Sequence, residues 1–358
     1  MLSMLPGFIG SIWGERLCKK TSPLRILIFA EILGLLALAF PVYGLLHHNV
    51  PALLVVQCIE ALLSGISYPA LTLLFKRGLR HDELPAATAM ETIIFASQVL
   101  LGTGLGVLLF GLIDTLHLLA IDALSFVASA ILIMMSAAAF RTAETQPTEA
   151  MPGRQEPLWR AISPSQKRTI MLLPALAAVG APAMALLPAL AQEIRPEDSA
   201  GLALPLLFAR SLGQLCGPLM LDARKLQLYA VNNRILLACL GIFIGCYFLL
   251  PLSAGYSYIG LILIFSAHMA SNIVFALGTF GILGNFPQTQ VAKASAMSWR
   301  AQVLAATVFT GITSAMAHYF GAFNALYCML PFSLGIVGVL LWLNRTKAPN
   351  NVNLRLRE

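Results

Sequence analysis

Residues 10–20 read Gly10-Ser11-Ile12-Trp13-Gly14-Glu15-Arg16-Leu17-Cys18-Lys19-Lys20. An apolar run stops at an acid–base pair and passes into a short basic turn. Such a pattern marks where a membrane helix leaves the bilayer, and its Lys and Arg assign that end to the cytoplasm. The stretch begins only ten residues into the chain, so the first apolar span is short.

Composition supports this reading. The chain has 358 residues, of which 58% are hydrophobic and 11% charged, with a mean hydropathy of +0.80. Soluble domains carry roughly 25% charged residues. A chain with less than half that cannot cover a water-facing surface, so an integral membrane protein follows. The net charge of +7 does not point to nucleic acid, because the basic residues sit in short gaps between apolar runs. Cys18, Cys58, Cys216, Cys239, Cys246 and Cys328 are scattered, mostly inside apolar runs, and read as small core hydrophobes.

A membrane helix needs about 20 apolar residues. About eleven such spans are expected, near 1–15, 24–46, 50–75, 87–112, 115–140, 169–192, 200–221, 229–251, 256–284, 296–320 and 323–343. They are too long for barrel strands, so the chain is all-helical. The one long polar segment, 141–168, divides five spans from six and reads as a cytoplasmic linker. The expected domains are a helical bundle over 1–140, the linker, a second bundle over 169–343 and a cytoplasmic tail over 344–358.

Lys and Arg concentrate in alternate gaps: Arg16, Lys19, Lys20 and Arg25; Lys76, Arg77 and Arg80; the linker; Arg224, Lys225 and Arg234; Lys293; and the tail. This places the C-terminus in the cytoplasm. The two halves echo each other. Ala87-Thr88-Ala89-Met90-Glu91 opens one span and Ala294-Ser295-Ala296-Met297-Ser298-Trp299-Arg300 another, while Gly10–Lys20 has a weaker echo in Gly217–Lys225, which contains Asp222. Internal repeats of this kind mark secondary transporters.

At these residues the chain resembles the major facilitator superfamily, whose signature after the second helix is a Gly, small or apolar residues, Asp-Arg and a basic end. Glu15-Arg16 stands in for Asp-Arg, and Lys19-Lys20 supplies the basic end. Tyr68-Pro69-Ala70, Ala87–Met90 and Ile121-Asp122-Ala123-Leu124-Ser125-Phe126 are similar to the branch of enterobactin and macrolide exporters. Met90-Glu91 and the Gly102–Gly106 run are also similar to the lysophospholipid transporter. The resemblance implies a two-bundle fold of twelve helices, and the family's first helix is expected to be lacking from this sequence. It also implies a monomer in the inner membrane that works by alternating access. The proline kink usual in helix five of the exporters is replaced by Gly102-Thr103-Gly104.

Charges inside lipid are costly and mark functional candidates. Glu60 lies about 15 Å into its span, at 1.5 Å per residue, on a helix that lines the cavity in the resembled family. It is the candidate proton site; the alternative is a buried carboxylate bonded to Gln57 or Ser64. Arg210 sits near mid-span, either to bind an anionic group or to pair with an acid such as Glu60. His268 and Asn272, one turn apart, are candidate cavity residues or an interhelical hydrogen-bonding pair. Glu15, Arg16, Glu91, Asp222 and Arg300 form a candidate cytoplasmic gate of ion pairs. Glu31 and Asp122 fall on helices that are peripheral in the family and read as structural.

The chain has no G-x-x-x-x-G-K-[ST] loop, no H-E-x-x-H and no G-x-S-x-G. No catalytic residue, metal or cofactor is expected, and the chain is not read as an enzyme. A proton gradient is the expected energy source. The expectation is a proton-coupled antiporter exporting a small amphipathic molecule of siderophore or drug type, as in multidrug resistance. A lysophospholipid transporter and a truncated, non-transporting remnant are the alternatives.

Overall fold

The computed structural model describes residues 5–80, 83–109, 112–144, 157–222 and 225–343. The remainder of the linker, Arg224 and the tail lie outside the described residues. The first set of helices is α1 (Pro6–Leu17), α2 (Pro23–Ala37), α3 (Ala39–Leu46), α4 (Val50–Gly78), α5 (Leu84–Leu109) and α6 (Thr115–Glu144). The second is α7 (Leu158–Ala161), α8 (Pro164–Ile194), α9 (Ser199–Leu219), α10 (Leu226–Val231), α11 (Asn233–Leu249), α12 (Ser257–Asn285), α13 (Gln288–Phe320) and α14 (Ala322–Leu343). Among the described residues nine spans are long and apolar enough to cross a membrane, α2 and α3 counting as one.

The helix ends follow local chemistry. Ser22 and Asn49 cap α2 and α4, each with proline in the first turn, where a missing N–H costs nothing. Ser163 and Gln166 form a capping box on α8. Pro41 has no N–H to donate to Ala37, and its ring crowds that carbonyl; the chain accordingly breaks between α2 and α3 at Leu38. Gly321, at φ +84°, turns α13 into α14. Glu193 at the end of α8 accepts from the backbone N–H of Ala322 and, at 3.2 Å, from that of Phe323.

Several boundaries differ from the sequence expectation. α1 has 12 residues, or about 18 Å, short of a bilayer's hydrocarbon thickness. α8 begins at Pro164 rather than 169, and α7 buries Leu158, with Ile162 just after it. The end of the expected linker is therefore helical and packed. α13 begins at Gln288 rather than 296.

Lipid supplies no hydrophobic force between helices, so close packing relies on small residues. α1 lies on α4 through such a seam. A Cβ on Gly10 would strike the Leu62 carbonyl, and one on Gly65 the Gly7 carbonyl. α9 lies on α12 in the same way: a Cβ on Gly213 or Gly217 would run into the backbone at Phe265 and Met269. Around the second seam, Leu187, Leu206, Leu240, Phe243 and Leu277 form a fully buried core. Phe29, Leu36, Leu132, Met135 and Trp342 face outward, as lipid-facing residues do. All six cysteines are free; burial pushes the Cys18 thiol up to about 12, which keeps it inert.

Candidate functional site

The helix ends that carry Glu15, Lys76 and Gln166 lie together, here called the basic end. There the two sets of helices are tied across the molecule. Both terminal nitrogens of Arg300 (α13) donate to one oxygen of Glu15 (α1), at 3.1 Å each. The side chains of the pair are 19% and 15% exposed, so solvent screens it little. Lys19 adds a second contact to Glu15 at 3.6 Å. Lys76 at the end of α4 donates to the Leu283 carbonyl near the end of α12, at 2.7 Å. Above this, the rings of Tyr68 (α4) and Trp299 (α13) stack with centroids 5.0 Å apart. Around the clamp, Cys18, Ile66, Leu73, Ile170, Ile282 and Val291 form one apolar cluster drawn from both sets of helices.

The other expected gate residues are placed differently. Arg16 is exposed on the last turn of α1. Glu91 lies on α5 within electrostatic reach of Tyr68 and is not paired with Arg300. Asp222 is exposed and pairs with Lys225 of its own turn at 3.8 Å.

At mid-depth the charges are arranged otherwise. Glu60 is exposed on α4, on a polar face shared with Gln57 and Ser64. Asp122 of α6 lies within its electrostatic reach and bonds to Ser125 at 3.4 Å. Arg210 on α9 is half-buried, and its Nε is enclosed without a hydrogen-bond partner among the described residues. His268 and Asn272 are 0% and 4% exposed. The Tyr247 hydroxyl is 2.9 Å from His268 Nε2, and Asn272 Nδ2 donates to the Gln214 carbonyl. His268 and Asn272 are thus interhelical in this conformer and do not line an open cavity. Arg168 is a buried cation not foreseen from sequence. It donates to Asn233 at 2.8 Å and to the Ala230 carbonyl at 2.7 Å, fixing the basic ends of α8 and α11.

The contacts made by Tyr68, Trp299, Lys76 and Tyr247 also escaped the sequence reading. Tyr68 and Trp299 stood in quoted motifs without a role. Tyr247 sits in an apolar run where nothing marks it.

No protein-family model matches the chain, and no curated protein matches it in sequence. Solved structures do match in fold. The human organic anion transporter TETRAN superposes with a TM-score of 0.68 at 13% identity, covering 96% of this chain and 82% of its own. The major facilitator superfamily proton:xylose symporter XylE gives 0.68 at 14% identity, covering 95% and 84%. A bacterial homologue of the iron transporter ferroportin, in an outward-facing state, gives 0.66 at 13% identity, covering 96% and 88%. The fold is therefore the all-helical, two-bundle membrane fold of major facilitator transporters.

Proposed function

We propose that this chain is a secondary active transporter working by alternating access. Two bundles rock about a mid-depth site, and the basic end is cytoplasmic. The observation that carries the reading is the Glu15–Arg300 pair. It joins residues 285 positions apart at the basic end of the molecule, while the mid-depth charges Glu60 and Arg210 have no ion-pair partner among the described residues. A clamp of this kind biases a two-state equilibrium rather than binding cargo. Glu15, Arg16, Glu91, Asp222 and Arg300 form the gate region, with Glu15 and Arg300 as its working pair.

Glu60 is the proton site. It is reachable, lies at mid-depth and faces Asp122 rather than a cation, so a proton is a natural counter-charge. The cargo is a small amphipathic molecule, exported in exchange for protons. Arg210 is its candidate contact, and His268 and Asn272 shape the wall behind it. The neighbours' cargoes (organic anions, xylose, iron) differ too widely to choose among them.

The test is flux. In membrane vesicles carrying a proton gradient, cargo flux should collapse on Glu60→Gln and on adding an uncoupler. Flux that survives both would overturn proton coupling.

A further inference from the structure

Charges within the spanning helices are segregated by sign. Glu31, Glu60, Glu91 and Asp122 lie on α2, α4, α5 and α6, whose Lys and Arg are confined to helix ends. After the linker the pattern reverses. Arg210 stands near the middle of α9, and the acids of residues 157–343 are Glu193, Glu197, Asp198 and Asp222, at or beyond helix ends.

Arg210 cannot shed its charge at any working pH, and a charge at that depth requires a counter-charge. The described side chains within its electrostatic reach are polar and neutral. Tyr247 and His268 lie within its electrostatic reach. They are bonded to each other, and His268 Nδ1 is buried without a partner among the described residues. Gln214, one turn along α9, likewise holds its Oε1 without a partner. Among the described residues no ion pair neutralises the guanidinium. Glu60 presents the opposite imbalance, a carboxylate beside a second carboxylate with no cation paired to it among the described residues. Counting 1.5 Å per residue from the end away from the basic turns, Glu60 lies about 15 Å deep and Arg210 about 16 Å. Two unbalanced charges of opposite sign therefore stand at one depth, on different bundles.

We propose that the cargo is zwitterionic. Its anionic group is held by the Arg210 fork, with Tyr247 and His268 positioning that side chain from behind. Its cationic group sits on Glu60, with Asp122 adding to the field. The proposal rests on the transporter reading above and names the cargo class. It also supplies the coupling: the cationic group and a proton compete for one carboxylate, so cargo arriving displaces the proton.

The experiment is binding to the full chain in nanodiscs, by displacement of radiolabelled lysophosphatidylcholine. Three competitors of matched chain length are compared with unlabelled lysophosphatidylcholine: lysophosphatidic acid (anionic), an alkyltrimethylammonium (cationic) and a monoacylglycerol (neutral). The zwitterion should bind about tenfold more tightly than any of the three, as expected when both charge pairs form. Direct binding of each probe to the variants is then read by the thermal shift that it induces. Arg210→Gln should weaken zwitterion and anion but leave the cation unchanged. Glu60→Gln should weaken zwitterion and cation but leave the anion unchanged. Arg210→Lys, which keeps the charge, should retain part of the anion affinity even if Arg210→Gln does not fold. No saturable zwitterion binding, equal affinity for all four probes, or equal losses for all probes in both variants would overturn the proposal. The last pattern is what Glu60 and Arg210 pairing with each other would give. Proton-driven flux is a separate readout, so charge-selective binding with proton-insensitive flux would sink the coupling and leave the cargo class standing.

Discussion

At the basic end, Arg300 spends both terminal nitrogens on a single Glu15 oxygen, and Lys76 ends on a carbonyl of another helix. At mid-depth, Arg210 has an enclosed nitrogen without a partner, and Glu60 faces a like charge. One molecule thus treats its charges in two ways. Where the protein supplies the counter-charge, the contact locks two helices together. Where it withholds it, the charge is open to a partner from outside the chain, as the proposed cargo would be. Charge pairs can hold a conformation only where both partners belong to the protein, and can recognise cargo only where one does not.

The largest effect is expected at mid-depth. Arg210→Gln should abolish flux while leaving the protein folded and its basic end shut, which separates cargo recognition from the lock. Flux in vesicles together with the thermal midpoint checks this. The seam beneath the lock comes next. Gly10→Leu inserts a side chain where a Cβ alone strikes the Leu62 carbonyl; overpacking of this kind costs about 1–3 kcal/mol, read as a lowered thermal midpoint. The lock itself should show a coupling of about 0.5–3 kcal/mol in a Glu15→Gln, Arg300→Gln double-mutant cycle. The smallest effect is expected behind Arg210. Tyr247→Phe removes one buried hydrogen bond to His268, a loss of about 1 kcal/mol, and should weaken anion binding more than cation binding.

Hydropathy made the order of the spans legible, because each apolar run must satisfy its own backbone in lipid; against about eleven expected, nine spans among the described residues are long and apolar enough to cross. It was blind to polar helix. The Ser163–Gln166 capping box starts α8 in text that reads as linker. The first two turns of α13, Gln288 to Ser295, are polar yet helical. The α2–α3 break was carried by Pro41 alone. For the site, Glu15-Arg16 stood out by position and motif, but which cation Glu15 meets depends on α13 crossing α1, and no local pattern encodes that crossing. His268 looks the same in sequence whether it faces a cavity or, as here, lies at 0% exposure against Tyr247. Asp222 repeats the motif of Glu15 and lies on an exposed turn with Lys225.

The proposed transport cycle requires that the Glu15–Arg300 pair hold one end of the molecule shut. Spin labels at Lys20 and Thr289, both exposed at the basic end, report that distance in a variant lacking the native cysteines. The unmodified pair should give one short distance. Glu15→Gln should add a longer-distance population, and the charge swap Glu15→Arg with Arg300→Glu should remove it again. A distance distribution that is unchanged by Glu15→Gln would show that the pair does not hold that end shut.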